Sequence, residues 1–231
     1  MNIERSFDKE IKLNTGEPLT LLSISNVISV EYPKGSGHWD VDERIPSYVV
    51  EQILKSRDSS NFLPTDDDVR KHMAGDILTL YVSENPNRVV GFDAINFVSP
   101  EKNWAGLKPV GTFPDKMGVY FAGALIDGEM QKSGLYTLAS IERVRRGIEK
   151  GYHIVSTETQ NPRVEAGVKD TLDEMKRTGE IKNYSMNQRV LFKGLYGRCM
   201  YKEIPTHDKI SYDKLDYDKG DAYALVFNLV Y

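Results

Sequence analysis

Short runs rich in β-branched and aromatic residues alternate along the chain with segments in which apolar residues recur every three or four positions. Runs of the first kind predict β-strands, and segments of the second kind predict amphipathic helices. The predicted strands lie within residues 17–32, 76–100, 118–127, 152–160 and 221–231, and the predicted helices lie within residues 47–57, 64–75, 134–151 and 164–181. This order predicts a mixed α/β fold with one crossover in the middle of the chain.

Some of these segments carry further information. The turn-forming sequence ENPN divides residues 76–100 into the two strands of a hairpin. Residues 118–127 are almost continuously apolar, which is typical of a buried central strand. Ser47 and Thr65 are candidate N-caps of the helices that follow them. Residues 187–204 stay ambiguous, because apolar residues at helical spacing favour a helix there and two glycines weigh against it.

Composition limits the class of protein. The chain has 231 residues, of which 40% are hydrophobic and 28% charged, and this predicts a single domain over residues 1–231 with residues 1–16 as an N-terminal extension. The one cysteine, Cys199, excludes an internal disulfide framework and a Cys-rich zinc site, and no metal is expected. We recognise neither a secretory leader nor a membrane-spanning run, so we expect a cytoplasmic protein without a membrane partner. A net charge of −4 makes a nucleic-acid partner unlikely.

A distinctive connection follows the predicted central strand. The sequence IDGEMQKSGLY, residues 126–136, leads from an apolar run through small and polar residues into a predicted helix. A helix start exposes unpaired N–H groups and the positive end of its dipole, and Gly134 allows the backbone to approach a ligand closely. Such a connection suits a pyrophosphate, to which Lys132 would add positive charge. An ordinary surface link between strand and helix is the alternative.

Residues 126–136 resemble the acyl-CoA loop of the GNAT superfamily of N-acetyltransferases. In that loop the apolar end of a strand is followed by a six-residue motif. The motif consists of Gln or Arg, two residues of any type, Gly, one residue of any type, and finally Gly or Ala. Gln131, Gly134 and the position of Tyr136 fall on this pattern, and the order of predicted elements over residues 17–231 matches the family as well. Tyr136 departs from the small residue of the family, so its phenol either crowds the pyrophosphate or points away from it.

The resemblance implies an acyl-CoA N-acyltransferase-like α/β fold, a central twisted mixed sheet flanked by helices, which binds acetyl-CoA or another acyl-CoA. In the family the strand before the loop separates from the next strand, here residues 152–160, and backbone groups of the first strand bind the pantetheine arm. The implied cofactor-binding residues are Leu125, Ile126, Asp127, Gln131, Lys132, Ser133, Gly134, Leu135, Tyr136 and Asn161. In a second register Asn187 replaces Asn161, and residues 161–186 are an insertion.

Acyl transfer to an amine needs a group that takes the proton of the amine and an acid for the leaving thiolate. Many members of the family carry a glutamate early in the central strand, but GVYFAGAL contains none. Glu158 on the next strand is therefore the predicted base, with Asp93 and Asp127 as alternatives. A carboxylate that faces solvent is the competing interpretation for each of them.

A tyrosine near the coenzyme A sulfur serves as the acid in similar proteins, which implies Tyr196 here, with Tyr201 as the alternative. Partly buried aromatic residues without a chemical role are the competing interpretation for both. His38 and His72 are interpreted as surface residues in or near loops. Cys199 has apolar neighbours and no adjacent histidine, so it is interpreted as a small buried hydrophobic residue.

The predicted function is therefore direct transfer of an acetyl or acyl group from coenzyme A to a small-molecule or protein amine. Residues 32–75 and 101–117 are where acceptor recognition is expected, because loops on a rigid scaffold carry specificity. A non-catalytic protein of the same fold is the first alternative, and an enzyme acting on nucleic acid is a weaker one. A homodimer is an open option. If the apolar strand at residues 221–231 has no partner within the chain, it forms an exposed edge that a second subunit could cover.

Overall fold

The computed structural model describes residues 17–21, 27–33, 47–62, 65–73, 75–84, 87–98, 118–128 and 134–231. These residues contain eight strands and four helices. In chain order they are β1 (Glu17–Leu21), β2 (Val27–Pro33), α1 (Ser47–Ser59), α2 (Asp66–Met73), β3 (Ile77–Glu84), β4 (Asn87–Val98), β5 (Gly118–Ile126), α3 (Leu135–Glu149), β6 (Ile154–Thr159), α4 (Pro162–Arg177), β7 (Asn183–Phe192) and β8 (Ala222–Val230). The predicted mixed α/β organisation is confirmed.

The chain divides into two compact units. Unit 1 comprises Met1–Ile95 and Ala122–Leu135, and unit 2 comprises Asn96–Phe121 and Tyr136–Tyr231. Strand β5 passes from unit 2 into unit 1 between Phe121 and Ala122. The predicted extension at residues 1–16 lies outside the described residues.

In unit 1 the strand order is β1-β2-β3-β4-β5. The first four strands pair antiparallel with their neighbours. The predicted hairpin is confirmed, since β3 and β4 are aligned from Ile77 opposite Ile95 to Glu84 opposite Asn87. The segment predicted to contain a strand at residues 17–32 contributes two strands, β1 and β2, which pair antiparallel.

The core of unit 1 is built from the inner faces of α1, α2 and the strands. Its buried members are Val50, Ile53, Val69, Met73, Leu78, Leu80, Val82, Val89, Phe92, Ala94 and Leu125. The predicted N-cap of α2 is confirmed, since the Asp68 N–H donates to Thr65 Oγ1 at 3.1 Å and the Thr65 N–H donates to Asp68 Oδ2 at 2.7 Å. A Cβ on Gly123 of β5 would lie 2.6 Å from the Cβ of His72, so α2 can pack there only against glycine.

In unit 2 the strand order is β5-β6-β8-β7. Strands β5 and β6 are parallel and are paired from Gly118 opposite Ile154 to Phe121 opposite Thr157. Strand β8 pairs antiparallel with β6 on one side and with β7 on the other. The final strand is thus internal, and the argument for a dimer that rested on its unpaired edge does not hold.

Helices α3 and α4 belong to unit 2. Helix α3 packs on one face of β5, where a Cβ on Gly147 would lie 2.4 Å from Val119 and the Arg143 guanidinium lies 4.8 Å from the centre of the Phe121 ring. The predicted apolar face of α4 is buried at Val168, Leu172 and Met175, as expected. Because paired residues share a face, α3 covers the side of β6 that carries Val155 and Thr157, and the opposite side carries Ser156 and Glu158.

The ambiguous segment at residues 187–204 begins as strand β7 and continues as an irregular loop. This loop, residues 193–221, contains no helix or strand and connects β7 to β8. Gln160 joins the two ends of this loop: its Nε2 donates to the carbonyls of Arg198 and Asp221, and its Oε1 accepts from the Met200 N–H. A side chain that follows β6 therefore fixes the course of a loop that begins more than thirty residues later.

Candidate active site

Glu158 lies near the end of β6, on the face opposite to α3. Its Oε2 accepts a hydrogen bond from the Tyr120 hydroxyl at 3.1 Å. Its Oε1 is buried and has no hydrogen-bond partner among the described residues. Burial raises the pKa of the Glu158 carboxyl to about 7, although the hydrogen bond from Tyr120 acts to lower it. A carboxylate that is close to half-ionised at neutral pH, with one unengaged oxygen, has the properties of a general base.

Tyr120 reaches Glu158 because of the strand register. The parallel pairing of β5 and β6 places Tyr120 opposite Ser156, and Glu158 follows two residues later on the same face. Tyr120 and Glu158 are therefore diagonal neighbours across the two strands. Burial and the charge of Glu158 raise the pKa of Tyr120 well above its ordinary value, so the phenol stays neutral and acts as a hydrogen-bond donor.

Tyr196 is brought to the same place by the loop after β7. Its hydroxyl donates to the backbone carbonyl of Glu158 at 3.0 Å. Burial is the main reason that the pKa of Tyr196 is raised well above its ordinary value, and the charge of Glu158 adds to this effect. The two residues predicted to be base and acid are thus neighbours, although the proton of Tyr196 is directed at a backbone oxygen rather than at the Glu158 carboxylate.

Asn161 and Tyr201 meet at the start of α4. Asn161 is the N-cap of this helix, and its Oδ1 accepts from the Arg163 N–H at 2.9 Å. The Tyr201 phenol forms hydrogen bonds with the side chains of Asn161 and Thr159, and burial raises its pKa above the ordinary range. The first predicted register, with Asn161 at the start of a helix, describes the structure, whereas Asn187 lies within β7.

The connection before α3 is only partly described, and the predicted binding residues Gln131, Lys132 and Ser133 lie outside the described residues. Gly134 has a φ of 87°, a conformation that favours glycine, and it immediately precedes the helix. The first turn of α3 contains no acidic residue that would compete with a bound anion. Leu135 is 1% exposed and belongs to the core, so only its backbone can face a ligand.

Tyr136 is the position at which the sequence departs from the family pattern. Its ring lies over α4, since a Cβ on Gly167 would come within 2.7 Å of Tyr136 Cε1. Gly167 therefore makes room for the phenol on the neighbouring helix. This packing favours the alternative in which the ring points away from the start of α3.

The predicted backbone contacts at the end of β5 need refinement. The Asp127 N–H donates to the Val90 carbonyl at 2.8 Å. A Cβ on Gly91 would lie 2.5 Å from the Leu125 carbonyl oxygen, which also faces β4. Backbone groups alternate in direction along a strand, so of the three residues Leu125, Ile126 and Asp127 only Ile126 directs its backbone groups to the other edge of β5.

The other candidate side chains lie in different surroundings. Asp93 is buried and accepts a hydrogen bond from the Tyr81 hydroxyl. Asp127 is also buried, so neither of these alternatives to Glu158 is a solvent-facing carboxylate. His72 packs against β5, and burial lowers its pKa, so it is not the surface residue that was predicted. Cys199 is half-buried, and its thiol donates to the Tyr201 carbonyl at 3.5 Å. His38 lies outside the described residues.

Sequence reasoning missed Tyr120, Ser156 and Gln160. The sequence places each of them only in a strand or at a strand end, because a single sequence does not reveal the register between β5 and β6. The one available signal was the run of four polar residues that ends IVSTET, in which Ser156 and Glu158 are two positions apart and therefore share a face. The structure adds that this face of β6 is the one opposite to α3.

Two kinds of feature are absent from the described part of the chain. None of the described helices has the length and apolar character needed to cross a bilayer. Among the same residues, no three histidine, cysteine, aspartate or glutamate side chains are grouped closely enough to hold a metal ion.

No family model and no curated protein matches the chain. Matches to solved structures do exist. One match is a crystal structure of the NatC complex bound to Gag peptide and CoA, with 10% sequence identity to this chain. The match covers 89% of this chain and 99% of the other, with a TM-score of 0.47. A GNAT family acetyltransferase from Elizabethkingia anophelis with acetyl-CoA bound is 12% identical, with coverages of 89% and 99% and a TM-score of 0.45.

An arylalkylamine N-acetyltransferase from Aedes aegypti is 7% identical, with coverages of 81% and 97% and a TM-score of 0.48. The chain is similar to these proteins along most of its length. At such identities and TM-scores the function has to be argued from the side chains of the site itself.

Proposed function

We propose that this protein is an acyl-CoA-dependent N-acyltransferase of the GNAT type, in which Glu158 is the general base. The observation that carries the proposal is the state of the Glu158 carboxyl. Its Oε1 is buried without a partner among the described residues, and its pKa is raised to about 7. A structural carboxylate of a folded protein normally has its oxygens paired or solvated.

The chemistry follows from this carboxyl. An amine attacks a thioester only through the lone pair of its neutral form, so a proton must leave the nitrogen before or during attack. Glu158 Oε1 accepts that proton, and a pKa near 7 allows it to be ionised before the reaction and protonated after it. Tyr120 keeps the other oxygen in place. Coenzyme A, when bound, supplies the acyl group as a thioester.

Tyr196 is the proposed acid that returns a proton to the leaving thiolate. Its raised pKa keeps the hydroxyl protonated at neutral pH, and its bond to the Glu158 carbonyl fixes its position. Tyr201 is the alternative, because it is buried at the start of α4 beside Asn161. Matched Tyr196→Phe and Tyr201→Phe variants distinguish the two, since only loss of the acid lowers kcat for a thioester with a poor leaving group.

Acyl-CoA binding is proposed for the backbone around Gly134 and Ile126. A positive φ at Gly134 and an α3 first turn without acidic residues both suit a pyrophosphate. Asn161 remains a proposed contact through its side chain, although that side chain also caps α4. Gln131, Lys132, Ser133, Leu135 and Tyr136 stay predictions from the resemblance.

The decisive experiment measures release of free coenzyme A from acetyl-CoA in the presence of a panel of primary amines. We expect Glu158→Gln to lower kcat/KM by about 10²–10⁴-fold, as is typical for loss of a general base. Glu51→Gln, at an exposed glutamate of α1, is the matched control and should leave the rate unchanged. If Glu158→Gln retains full activity, Glu158 is not the base. If acetyl-CoA binds but no amine is acetylated, the non-catalytic alternative takes the place of this proposal.

A further inference from the structure

Three buried side-chain oxygens without hydrogen-bond partners lie in unit 2 on neighbouring strands. They are Ser156 Oγ and Glu158 Oε1 on β6 and Asn228 Oδ1 on β8, and none has a partner among the described residues. Ser156 is 1% exposed, so water does not reach its hydroxyl from the surface. The mechanism proposed above uses only Glu158 and leaves the other two oxygens unexplained.

The strand register places all three oxygens on one face. Asn228 is opposite Ile154, Val226 is opposite Ser156, and Ala224 is opposite Glu158. Paired residues and alternate residues share a face, so Glu158, Ser156 and Asn228 are spaced by about 6.6 Å along the strand direction, with Asn228 one strand to the side, and span about 13 Å in that direction. We call Ser156, Glu158 and Asn228 the polar strip.

Apolar side chains border the polar strip. Val98, Ile154 and Ala224 form a buried cluster on this face, and Tyr120, Phe192 and Val226 pack against it. A row of hydrogen-bonding oxygens in such surroundings is costly, because each unpaired buried oxygen loses its water without gaining a partner. One such atom occurs in many proteins, but three in register on one face indicate a ligand.

The chemistry of the oxygens defines that ligand. A carboxylate and an amide oxygen only accept hydrogen bonds, and a serine hydroxyl can accept as well. The ligand must therefore bring donors, and an anionic group is disfavoured next to Glu158. The apolar border suits methylene groups between successive donors.

We propose that the polar strip binds the acceptor as a linear amine with a second hydrogen-bond donor about one strand repeat from the reacting nitrogen. This inference rests on the proposed function, because it places the reacting nitrogen at Glu158. Ser156 accepts from the second donor, and Asn228 accepts from a third donor in longer acceptors. Monoamines without such a donor leave Ser156 and Asn228 unpaired and bind more weakly.

Calorimetric titration of the intact protein with two matched amines tests the polar strip. Diaminobutane carries a second donor at the far end of the chain, and n-butylamine has the same chain without it. We expect diaminobutane to bind about tenfold more tightly, as one net hydrogen bond implies. Triglycine amide, compared with its N-acetylated form, shows whether a peptide backbone can supply the second donor in place of a diamine.

Ser156→Ala should abolish the preference for diaminobutane and leave the affinity for butylamine unchanged. Ser140→Ala is the matched control, because Ser140 Oγ is also buried without a partner among the described residues but lies on α3. Ser156→Ala should not lower the melting temperature of the free protein, since the hydroxyl makes no bond there. Asn228→Leu is a second variant, and it should weaken the binding of longer polyamines only.

Equal affinities for the two amines, or a preference that survives in Ser156→Ala, would overturn the polar strip as an acceptor site. Absence of any amine binding would overturn it as well. These outcomes are separate from failure of the proposed function, which is judged by coenzyme A release and by the Glu158→Gln variant. Equally efficient acetylation of butylamine and diaminobutane would support the proposed function and contradict the role of the polar strip in acceptor binding.

Discussion

In the proposed mechanism the ionisation of the Glu158 carboxyl controls the rate, and this gives a prediction on pH at the scale of a single residue. Glu158 must be ionised to act as a base, and its pKa of about 7 predicts that kcat/KM rises with pH through neutrality. The Tyr120 hydroxyl stabilises the ionised form by its hydrogen bond and so acts to lower this pKa. Tyr120→Phe should therefore raise the pKa of Glu158 further and move the acid limb of the pH profile upwards, by about one pH unit.

The measurement is a pH profile of kcat/KM from about pH 5 to pH 10 for both proteins. Activity of Tyr120→Phe should be lower by nearly tenfold below pH 7, and the difference should disappear at high pH, where Glu158 is ionised in both. Tyr184→Phe is the control, because the Tyr184 hydroxyl bonds Asp173 on α4 and is far from Glu158 along the sheet. An acid limb that stays in place, or moves to lower pH, would show that Tyr120 does not set the pKa of the base.

At the scale of elements, the loop between β7 and β8 depends on one buried amide. Gln160 is 1% exposed and makes hydrogen bonds to three backbone groups of residues 198–221. Gln160→Leu leaves these groups unpaired, and we expect it to lower the free energy of unfolding by about 3 kcal/mol. Hydrogen exchange of the Met200 N–H should accelerate at the same time, and kcat should fall because Tyr196 belongs to the same loop.

Gln188→Leu, on the edge strand β7, provides the comparison for Gln160→Leu. Gln188 is half-buried in a strand that has no fully buried residue, so the same change should cost less there. Denaturant unfolding gives the free energies, and amide exchange locates the loosened segment. Equal losses for the two variants would mean that Gln160 does not hold the loop.

The elements also show how far a single sequence can be read. Helix α4 and strand β5 were predictable, since apolar residues recur at helical spacing in one and are continuous in the other. Strand β7 was not, because this edge strand has no fully buried residue and shows no regular apolar alternation. Glu158 could be predicted because the central strand lacks the glutamate that the resemblance implies. Tyr120 and the polar strip depend on strand register, which turns and distant pairing determine.

At the scale of the whole molecule, net charge limits the partners. A net charge of −4 argues against a broad nucleic-acid-binding surface. Most of the arginines in the sequence RVRRG are also engaged, since Arg145 pairs with Glu142 and Glu180 and Arg146 pairs with Glu149. Arg143 is buried over Phe121. Helix α3 therefore offers little free positive charge to an acidic partner.

Ligand binding should be visible in the stability of the whole molecule. A ligand that binds only the folded state stabilises it by about 2.7 kcal/mol at one hundred times its Kd. For a chain of 231 residues this raises Tm by about 5–10 °C, so acetyl-CoA should produce a shift of this size in thermal unfolding. Gly134→Asp should abolish the shift, because a carboxylate at the start of α3 repels a pyrophosphate.

Gly151→Asp supplies the matched control at the other end of α3. Gly134 and Gly151 have positive φ values of 87° and 73°, and in both cases an added Cβ would meet no atom within 4 Å. The two substitutions therefore impose similar backbone strain, of about 1 kcal/mol, and both should lower Tm without ligand. Only the Gly151→Asp protein should keep the shift with acetyl-CoA. Loss of the Tm shift in both variants would mean that a weakened helix, and not charge repulsion at Gly134, abolishes acetyl-CoA binding. A Tm shift that persists in Gly134→Asp would mean that acetyl-CoA binds at another site.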